Sequence, residues 1–445
     1  MVCLLLTFYK VLENFSIKKY KFILFFMSIV VYTIWGIFAK TQPVNDYGVL
    51  FQGSKQMVEG NFKVLSFDKT NYFYFYNFQI GYVMYLAGLM KIFGDSLKAL
   101  KIIEIIVMSL TNLLICSIGE KIYSKKIGIM SSLIYMLLLF NVGGSSILNN
   151  QHIQAFFICL SIYFFLKEKW QFKIASGITL GISIILRQSS IVILIAYICF
   201  ILWKLLYNKF KDAKKLIISM CLITFSFIGI LGIFDIMTNN VAPNSVIHGN
   251  LKYFKFLIGM TGGSVYNIPT ESAEKTQVYF DLEKFNFDYD AYNEASKDYL
   301  IDSCKNSREV MTFISRKMIS FCGEKDNQVE YGWDNIKEGN AVKVVQLYGY
   351  VQYVLLVLLS LAMSMGYFIK SKDFEFSKKD NHYIKLLQII FIGFFLVHIF
   401  IEVQPRYRYE QYIMLSLLSA PVLKFIYDKL NDMNEKLNKI KGVEK

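Results

Sequence analysis

The chain has 445 residues, of which 55% are hydrophobic and 16% aromatic, and its formal net charge is +14. A soluble domain of this length cannot bury so much apolar surface, so part of the surface must face a lipid bilayer. The positive charge does not indicate a nucleic-acid partner, because most lysines lie in short loops between apolar runs, as membrane-flanking charges do.

Ten apolar runs approach the roughly 17 to 25 residues that a helix needs to cross a bilayer. They lie at 21–39, 97–119, 127–143, 153–167, 174–187, 189–206, 215–238, 346–369, 384–401 and 409–427. The sequence therefore predicts an all-α polytopic membrane protein with about ten transmembrane helices.

The run NFQIGYVMYLAGLMKIFG (77–94) is ambiguous by hydropathy, and the charges of the loops resolve it. Basic segments such as EKIYSKK (120–126) and KEKWQFK (167–173) share a side with the basic N-terminus only if 77–94 does not cross. Cytoplasmic loops collect Lys and Arg. The run is thus predicted to be a juxtamembrane helix on the outer surface of the cell membrane, with both termini cytoplasmic.

This topology divides the chain into three regions. They are an N-terminal transmembrane module (1–238) with a first outer loop (40–96), an outer helical cap (239–345), and C-terminal transmembrane helices with a basic cytoplasmic tail (346–445). Apolar and charged residues alternate at helical spacing in the cap, which predicts two or three amphipathic helices. Cys304 and Cys322 lie there and would be able to form a disulfide in an oxidising compartment.

The stretch TQPVNDYGVLFQGSKQM (41–57) places Asp46 just beyond the outer end of the first span. An Asp after a turn is commonly a solvated carboxylate or a helix N-cap. At the level of a lipid headgroup it would also suit a general base or a metal ligand. The residue is a candidate for chemistry on a lipid-linked substrate.

Lys69 and Arg187 each have both a structural and a functional interpretation. Lys69 precedes an aromatic cluster, which is either an interfacial belt or a slot for an isoprenoid chain or sugar whose phosphate meets this lysine. Arg187 lies in RQSS (187–190), where two spans meet, and would serve as a structural ion pair or as a phosphate ligand.

The segment HIFIEVQPRYRYEQY (398–412) carries Glu402, Arg406, Arg408 and Glu410 at an outer membrane boundary. Two outward arginines run against the positive-inside rule and need a reason. An anionic lipid headgroup is one, because a guanidinium matches phosphate oxygens bidentately. Pairing with the two glutamates is the other.

The order of these features resembles the polytopic glycosyltransferases of the C-type (GT-C) fold, the superfamily of protein O-mannosyltransferases (glycosyltransferase family 39) and of the lipid A aminoarabinose transferase. NDYGVLFQGSKQMVEGNF, with Asp46, is similar to the acid-bearing first outer loop of that family. YNFQIGYVMYLAGLMKIFG is similar to its surface helix. EVQPRY is similar to its last outer loop through Glu402, Arg406 and Tyr407.

The resemblance implies transfer of a sugar, with inversion, from a polyprenyl-phosphate donor to an envelope glycan, lipid or protein on the outer face. Asp46 would deprotonate or position the acceptor hydroxyl, with or without a divalent metal such as Mg²⁺ or Mn²⁺ bound to it. The residues assigned to the donor phosphate are Lys69, Arg187 and Arg406, and those assigned to other substrate contacts are Tyr76, Gln79, Tyr82, His152, Glu402 and Tyr407.

One departure from the family concerns a second acid after the third span. This chain has SSILNNQHIQ there, so that Asn149, Asn150 or His152 would take its place, although His152 also suits a plain interfacial position. The missing acid leaves both metal dependence and catalytic competence open.

Two alternatives remain at this stage. A polysaccharide polymerase that joins lipid-linked repeat units shares the many spans and the large outer loop, and typically uses arginines instead of an aspartate. A flippase or transporter of lipid-linked sugars predicts charged residues at mid-span and broken helices. The middles of these spans are almost wholly apolar apart from Glu104, which disfavours transport.

Overall fold

The structure is a computed structural model that describes residues 2–12, 14–67, 71–249, 251–260, 282–286, 288–305, 307–323, 340–369 and 382–440. Regular secondary structure within these ranges is helical, without any strand. The predicted all-α class is therefore confirmed.

Helices follow one another along the whole described chain. Those before the cap are α1 (Val2–Leu12), α2 (Ile17–Ala39), α3 (Asn45–Val58), α4 (Ile80–Phe93), α5 (Leu97–Ile122), α6 (Lys125–Leu137), α7 (Leu139–Gly144), α8 (Asn150–Phe165), α9 (Trp170–Leu186), α10 (Ile191–Tyr207) and α11 (Ala213–Val241). Those that come later are α12 (Phe254–Met260), α13 (Tyr289–Ser303), α14 (Ser307–Gly323), α15 (Asn340–Ile369), α16 (His382–Phe400) and α17 (Tyr409–Ile440).

Six helices within the described ranges are long and apolar enough to cross a membrane. They are Lys19–Ala39, Leu97–Ile122, Gln188–Tyr207, Ala213–Val241, Val342–Gly366 and His382–Phe400. The remaining predicted spans, in α6, α8, α9 and α17, are also helical. The chain is a multi-pass membrane protein, and the count of about ten spans stays a prediction.

The ambiguous run at 77–94 forms a short 3-10 turn followed by α4, a helix of 14 residues. At 1.5 Å per residue, α4 is about 21 Å long, shorter than the hydrocarbon core of about 30 Å. It packs against α9 through Gly81, where an added Cβ would lie 2.0 Å from the carbonyl oxygen of Ile185. This close backbone approach requires glycine and fixes α4 to the bundle.

The connections between helices collect at two ends of the bundle. At one end Lys21 pairs with Glu120 (Nζ–Oε2 2.7 Å), and Lys125 Nζ donates to the carbonyl of Phe15 (2.6 Å). At the other end, which we call the cavity end, the start of α3 and the connections that follow α3, α7, α9, α11 and α16 line a common cavity. The assignment of this end to the outer side remains a prediction from loop charge.

The described part of the cap consists of α12, α13 and α14, with Tyr292 of α13 fully buried against Phe285 (ring centroids 5.4 Å apart). The number of helices in the whole cap stays a prediction, because part of the cap lies outside the described residues. Cys304 and Cys322 are both free thiols, so the disulfide considered from the sequence is not formed. The division of the chain into three regions stays a prediction.

Two clusters of buried apolar side chains hold the helices of the bundle and the cap together. The larger fills the helix bundle, with fully buried side chains such as Leu133 and Phe394. The smaller joins α3 and α4 to the cap, through residues such as Leu86, Val246 and Leu257. Removing a large apolar side chain from water contributes about 1.5–3 kcal/mol, a gain available to the cap residues of the smaller cluster, whereas packing holds the membrane-spanning helices together. The smaller cluster therefore holds α3, α4 and the cap over the end of the bundle, where the cavity lies.

Candidate active site

A cavity of about 570 Å³ lies at the cavity end of the bundle. Six stretches far apart in the sequence contribute to its walls: 46–50, 72–79, 149–151, 187–192, 249–256 and 397–407. Most of these residues belong to connections or helix ends. The fold therefore gathers polar groups from the connections of an otherwise apolar bundle into one place.

Asp46 reaches this cavity because the chain turns sharply after α2. Lys40 and Asn45 adopt positive φ angles of 43° and 51°, and Asn tolerates this left-handed region better than most residues. The turn places Asp46 in the first turn of α3, with its side chain 41% exposed. Its Oδ2 lies 2.7 Å from Nη2 of Arg406, so the acid predicted from the first loop meets the arginine predicted from the last.

Arg406 lies in a 3-10 turn that Pro405 begins. Its guanidinium is 5.7 Å from the ring centroid of Tyr47 and 5.6 Å from that of Tyr407. Its backbone carbonyl accepts a hydrogen bond from Nε2 of Gln151 (3.0 Å). The side chain is only 11% exposed, so the charge is held in a fixed place at the cavity wall.

Arg187 approaches the same tyrosine from the end of α9. Its guanidinium lies 5.2 Å from the ring of Tyr407, and Nη1 donates to Oδ1 of Asn150 (3.0 Å). Nε lies 3.7 Å from Oε1 of Glu410, which is buried and also accepts from Ser189 Oγ (2.9 Å). Two arginines thus border one cavity and contact the same aromatic ring.

A second ion pair comes from the cap, and the sequence did not indicate it. Lys255 of α12 lies 3.0 Å from Oε2 of Glu402, whose Oε1 accepts from Nε2 of Gln404 (2.6 Å). Burial raises the pKa of Glu402, but the charge and hydrogen bond of Lys255, the charge of Arg406 and the hydrogen bond from Gln404 together outweigh burial. The net pKa of Glu402 is therefore below its ordinary value. The ammonium also lies over the rings of Tyr76 (5.2 Å) and Phe78 (4.8 Å).

Aromatic side chains form one wall of the cavity. Tyr72 and Tyr76 stack with their centroids 4.6 Å apart and their planes at 15°, and Phe75 stacks on Phe254 of the cap (5.2 Å). Gln79 Nε2 donates to the Tyr72 hydroxyl (2.7 Å). Burial raises the pKa of both tyrosines, so each phenol keeps its proton. The wall offers flat apolar faces edged with hydrogen-bonding groups.

Two of the residues predicted for the site lie outside the cavity lining, and a third cannot be located. Tyr82 and His152 are fully buried outside its lining. His152 Nδ1 lies 2.7 Å from Oε1 of Glu104, which also accepts a hydrogen bond from the backbone N–H of Asn149 (3.0 Å). This buried pair therefore stabilises the start of α8. Lys69 lies outside the described residues.

The residues that line the cavity do not fit a protein-bound divalent metal. Within the described ranges no group of three or more His, Cys, Asp or Glu side chains is arranged to hold an ion. Asp46 and Glu402 line the cavity, and each is already paired with a cation, Arg406 and Lys255 respectively. A guanidinium stands beside Asp46 where a metal would have to bind.

The lining combines three capabilities. Arg187 and Arg406 provide fixed positive charge, which matches the oxygens of a phosphate. Asp46 provides a partly exposed carboxylate within reach of the same ligand. The tyrosine wall provides faces on which an apolar chain or a sugar ring can lie.

Residues 80–230 match the family model described as dolichyl-phosphate-mannose-protein mannosyltransferase. The match covers about a third of the chain, from α4 to the middle of α11. No curated protein matches the chain.

Solved structures are similar to this chain to different degrees. The oligosaccharyltransferase of Archaeoglobus fulgidus in its apo form has a TM-score of 0.56 at 14% identity, covering 96% of this chain and 53% of that one. The same enzyme tethered to an acceptor peptide with the NVT sequon has a TM-score of 0.53 at 13% identity, covering 96% and 52%. ArnT of Cupriavidus metallidurans bound to undecaprenyl phosphate has a TM-score of 0.41 at 9% identity, covering 92% and 78%.

The chain therefore has a GT-C fold and resembles the mannosyltransferase family over its central helices. It spans about half the length of the oligosaccharyltransferase chains that it matches. The similarity predicted from the order of sequence features is confirmed at the level of fold.

Proposed function

We propose that this chain is a membrane glycosyltransferase that transfers a sugar from a polyprenyl-phosphate-linked donor to an acceptor of the cell envelope, a glycan, lipid or protein. The observation that carries the proposal is the meeting of Asp46, Arg187 and Arg406 in one cavity of about 570 Å³. The cavity end faces the outside of the cell membrane, since the basic loops lie at the opposite end.

The two arginines hold the donor phosphate. Both guanidinium groups lie close to the ring of Tyr407, at 5.2 and 5.6 Å, which allows both to reach one anionic group. The charge on the phosphate oxygens grows as the sugar departs, so a pre-arranged pair of guanidinium groups stabilises the transition state more than the bound donor. The residues present provide this charge without a metal ion.

Asp46 acts on the acceptor. Its carboxylate is oriented by Arg406 yet remains partly exposed to the cavity, so it can accept the proton of an acceptor hydroxyl or fix the direction of attack. Attack from the side opposite the phosphate inverts the anomeric carbon. The tyrosine wall and the Lys255–Glu402 pair then lie next to the sugar and the polyprenyl chain.

The decisive experiment compares two acids from the same part of the chain. Asp46→Asn removes the candidate catalytic carboxylate, whereas Asp95→Asn removes an exposed carboxylate that pairs with Lys55 (2.9 Å). Each protein is purified in lipid nanodiscs and given undecaprenyl-phosphate sugars with an envelope extract as acceptor. Release of undecaprenyl phosphate is measured.

Wild type is expected to turn over, with a loss of about a thousandfold in Asp46→Asn, typical of a principal acid–base group. Asp95→Asn should stay within about twofold, because exposed ion pairs contribute little. Equal turnover in wild type and Asp46→Asn would favour the arginine-based polymerase instead. Absence of release from every donor by the wild type would contradict the proposed donor class.

A further inference from the structure

One lysine of the cap is fully buried and makes three hydrogen bonds to backbone carbonyls. Lys317 of α14 has no exposed surface. Its Nζ donates to Gly259 O (2.8 Å), Ile399 O (3.0 Å) and Ile401 O (2.7 Å). Gly259 lies at the end of α12, and Ile399 and Ile401 lie at the end of α16. A single ammonium therefore joins the C-terminal ends of two helices.

The chemistry of this contact suits an ammonium group. The last carbonyls of a helix have no partner within the helix and form the negative end of its dipole. Burial lowers the pKa of Lys317 to about 7, because the charged form loses its water. Three acceptors for three protons offset that loss, while a side chain without protons would leave all three carbonyls without this donor.

The two helix ends have to lie unusually close for one lysine to reach both. A Cβ added at Gly259 would lie 2.2 Å from the carbonyl oxygen of Phe400 and 2.6 Å from Cα of Ile401. No side chain fits there without a shift of the backbone. Gly259 and Lys317 therefore depend on the same packing of α12 against the end of α16, although they belong to different helices.

The contact of Lys317 with the ends of α12 and α16, which we call the joint, lies next to the candidate site. Ile401 precedes Glu402, and Lys255, the partner of Glu402, is one turn before Gly259 on α12. From Glu402 the chain continues through a few residues to Arg406, opposite Asp46. On the same joint, Phe321 of α14 stacks on His398 (4.7 Å, 17°), a residue that lines the cavity.

We infer that Lys317 is a positioning residue, which fastens the cap to the end of α16 and so holds the segment 402–406 in the geometry that the site requires. Lys317 does not line the cavity, and it bonds the backbone of Ile401, which does. Its effect passes through the backbone of Ile401 and through the pairing of Glu402 with Lys255. The catalytic part of this inference rests on the proposed function.

The test uses two substitutions that disrupt the joint, one on α14 and one on α12. Lys317→Met keeps the length of the side chain and removes its donors, and Gly259→Ala forces the helix ends apart. Arg316→Met is the matched control, because Arg316 neighbours Lys317 on α14 but is exposed. Hydrogen–deuterium exchange of peptides that cover 254–260 and 399–408 is measured in nanodiscs, together with kcat and the KM for the donor.

Both joint variants should speed exchange in these peptides by about tenfold or more, since local opening is then less costly. The value of kcat per folded molecule should fall by about ten- to a hundredfold. The donor KM should rise by less, because Arg406 is loosened while Arg187 is still held by Asn150. A loss of folded protein alone would not change kcat per folded molecule. Arg316→Met should match wild type in every respect.

Unchanged exchange in both variants would overturn the inference, whatever their activity. Faster exchange with wild-type kcat would also overturn it, because the joint would then be structural only. The exchange result does not need a transferase assay. Failure of the proposed function would instead appear as a lack of turnover in the wild type, with the exchange difference still present.

Discussion

The two ion pairs of the cavity, Asp46–Arg406 and Glu402–Lys255, differ in how completely their carboxylates are engaged. Both oxygens of Glu402 accept hydrogen bonds, one from Lys255 and one from Gln404, and its side chain is 14% exposed. Asp46 is 41% exposed and lines the cavity, and within the described residues it accepts a hydrogen bond only at Oδ2, from Arg406. Both oxygens of Glu402 are thus hydrogen-bonded, but only one oxygen of Asp46 is bonded within the described part of the chain.

The number of hydrogen-bonded oxygens distinguishes a structural carboxylate from a reactive one more clearly than burial or charge does. A saturated carboxylate stabilises the segment that carries it, because breaking a buried pair leaves an uncompensated charge. A carboxylate with a free oxygen retains a basic lone pair for a substrate proton. The comparison therefore predicts opposite outcomes for the two pairs: loss of activity at one and loss of stability at the other.

The largest loss of activity is expected from substitutions of Arg406. Arg406→Ala removes a phosphate ligand and the partner of Asp46 together, so kcat/KM for release of undecaprenyl phosphate should fall by about a thousandfold. Arg406→Lys keeps the charge but loses the planar fork, and should cost about ten- to a hundredfold. The comparison is made at equal concentrations of folded protein.

The matched control for Arg406 is Arg316→Ala on the exposed face of α14, which should change kcat/KM by less than about twofold. If Arg406→Lys and Arg406→Ala were equally impaired, geometry and not charge would be the property required of this residue. Wild-type kinetics in Arg406→Ala would remove the guanidinium from the reaction altogether.

A smaller effect, on stability, is expected at Glu402. Glu402→Gln leaves Lys255 without its charged partner and should lower the free energy of unfolding by about 1–3 kcal/mol. Turnover per folded molecule should stay within about tenfold of wild type, in contrast to Asp46→Asn. Thermal unfolding in nanodiscs measures the first quantity, and the transfer assay measures the second.

A double-mutant cycle with Lys255→Met tests whether Glu402 acts through this pair. The two changes together should cost less than the sum of the single changes by about 0.5 kcal/mol or more, because they share one interaction. Strict additivity would show that Glu402 stabilises the segment by another route, such as its bond to Gln404.

The sequence was sufficient to locate the helices and several of the groups that meet at the cavity. The apolar runs all fall on helices, because helix length and hydropathy are local properties of the chain. The short α4 was predicted from the placement of lysines in distant loops. Asp46, Arg187 and Arg406 stood out because charges at a membrane boundary require a reason.

Pairings between distant segments were not predictable in the same way. Lys255 lies in the predicted cap, and its partner Glu402 is 147 residues away. His152 looked like a cavity residue from its position beside Asn149 and Asn150, yet the helical turn of α8 directs it inward to Glu104. No local pattern distinguishes these outcomes, since the direction of a side chain at a helix start depends on the packing around it.

The smallest predicted effect is the pH dependence of stability, and its direction follows from the lowered pKa of Glu402. Burial raises this pKa, but Lys255, then Arg406 and Gln404, lower it to a net value below the ordinary 4.5. The stability that Glu402 contributes is therefore fully present above pH 4.5 and is lost as the pH falls through the pKa of the folded protein.

The difference in unfolding temperature between wild type and Glu402→Gln should consequently be constant near neutral pH and shrink as the solution becomes more acidic than pH 4.5. Asp95→Asn, which alters an exposed pair, should differ from wild type only slightly at any pH. A difference that stayed constant down to the lowest pH would mean that the charge of Glu402 adds nothing to stability. The two cavity carboxylates would then differ in reactivity alone.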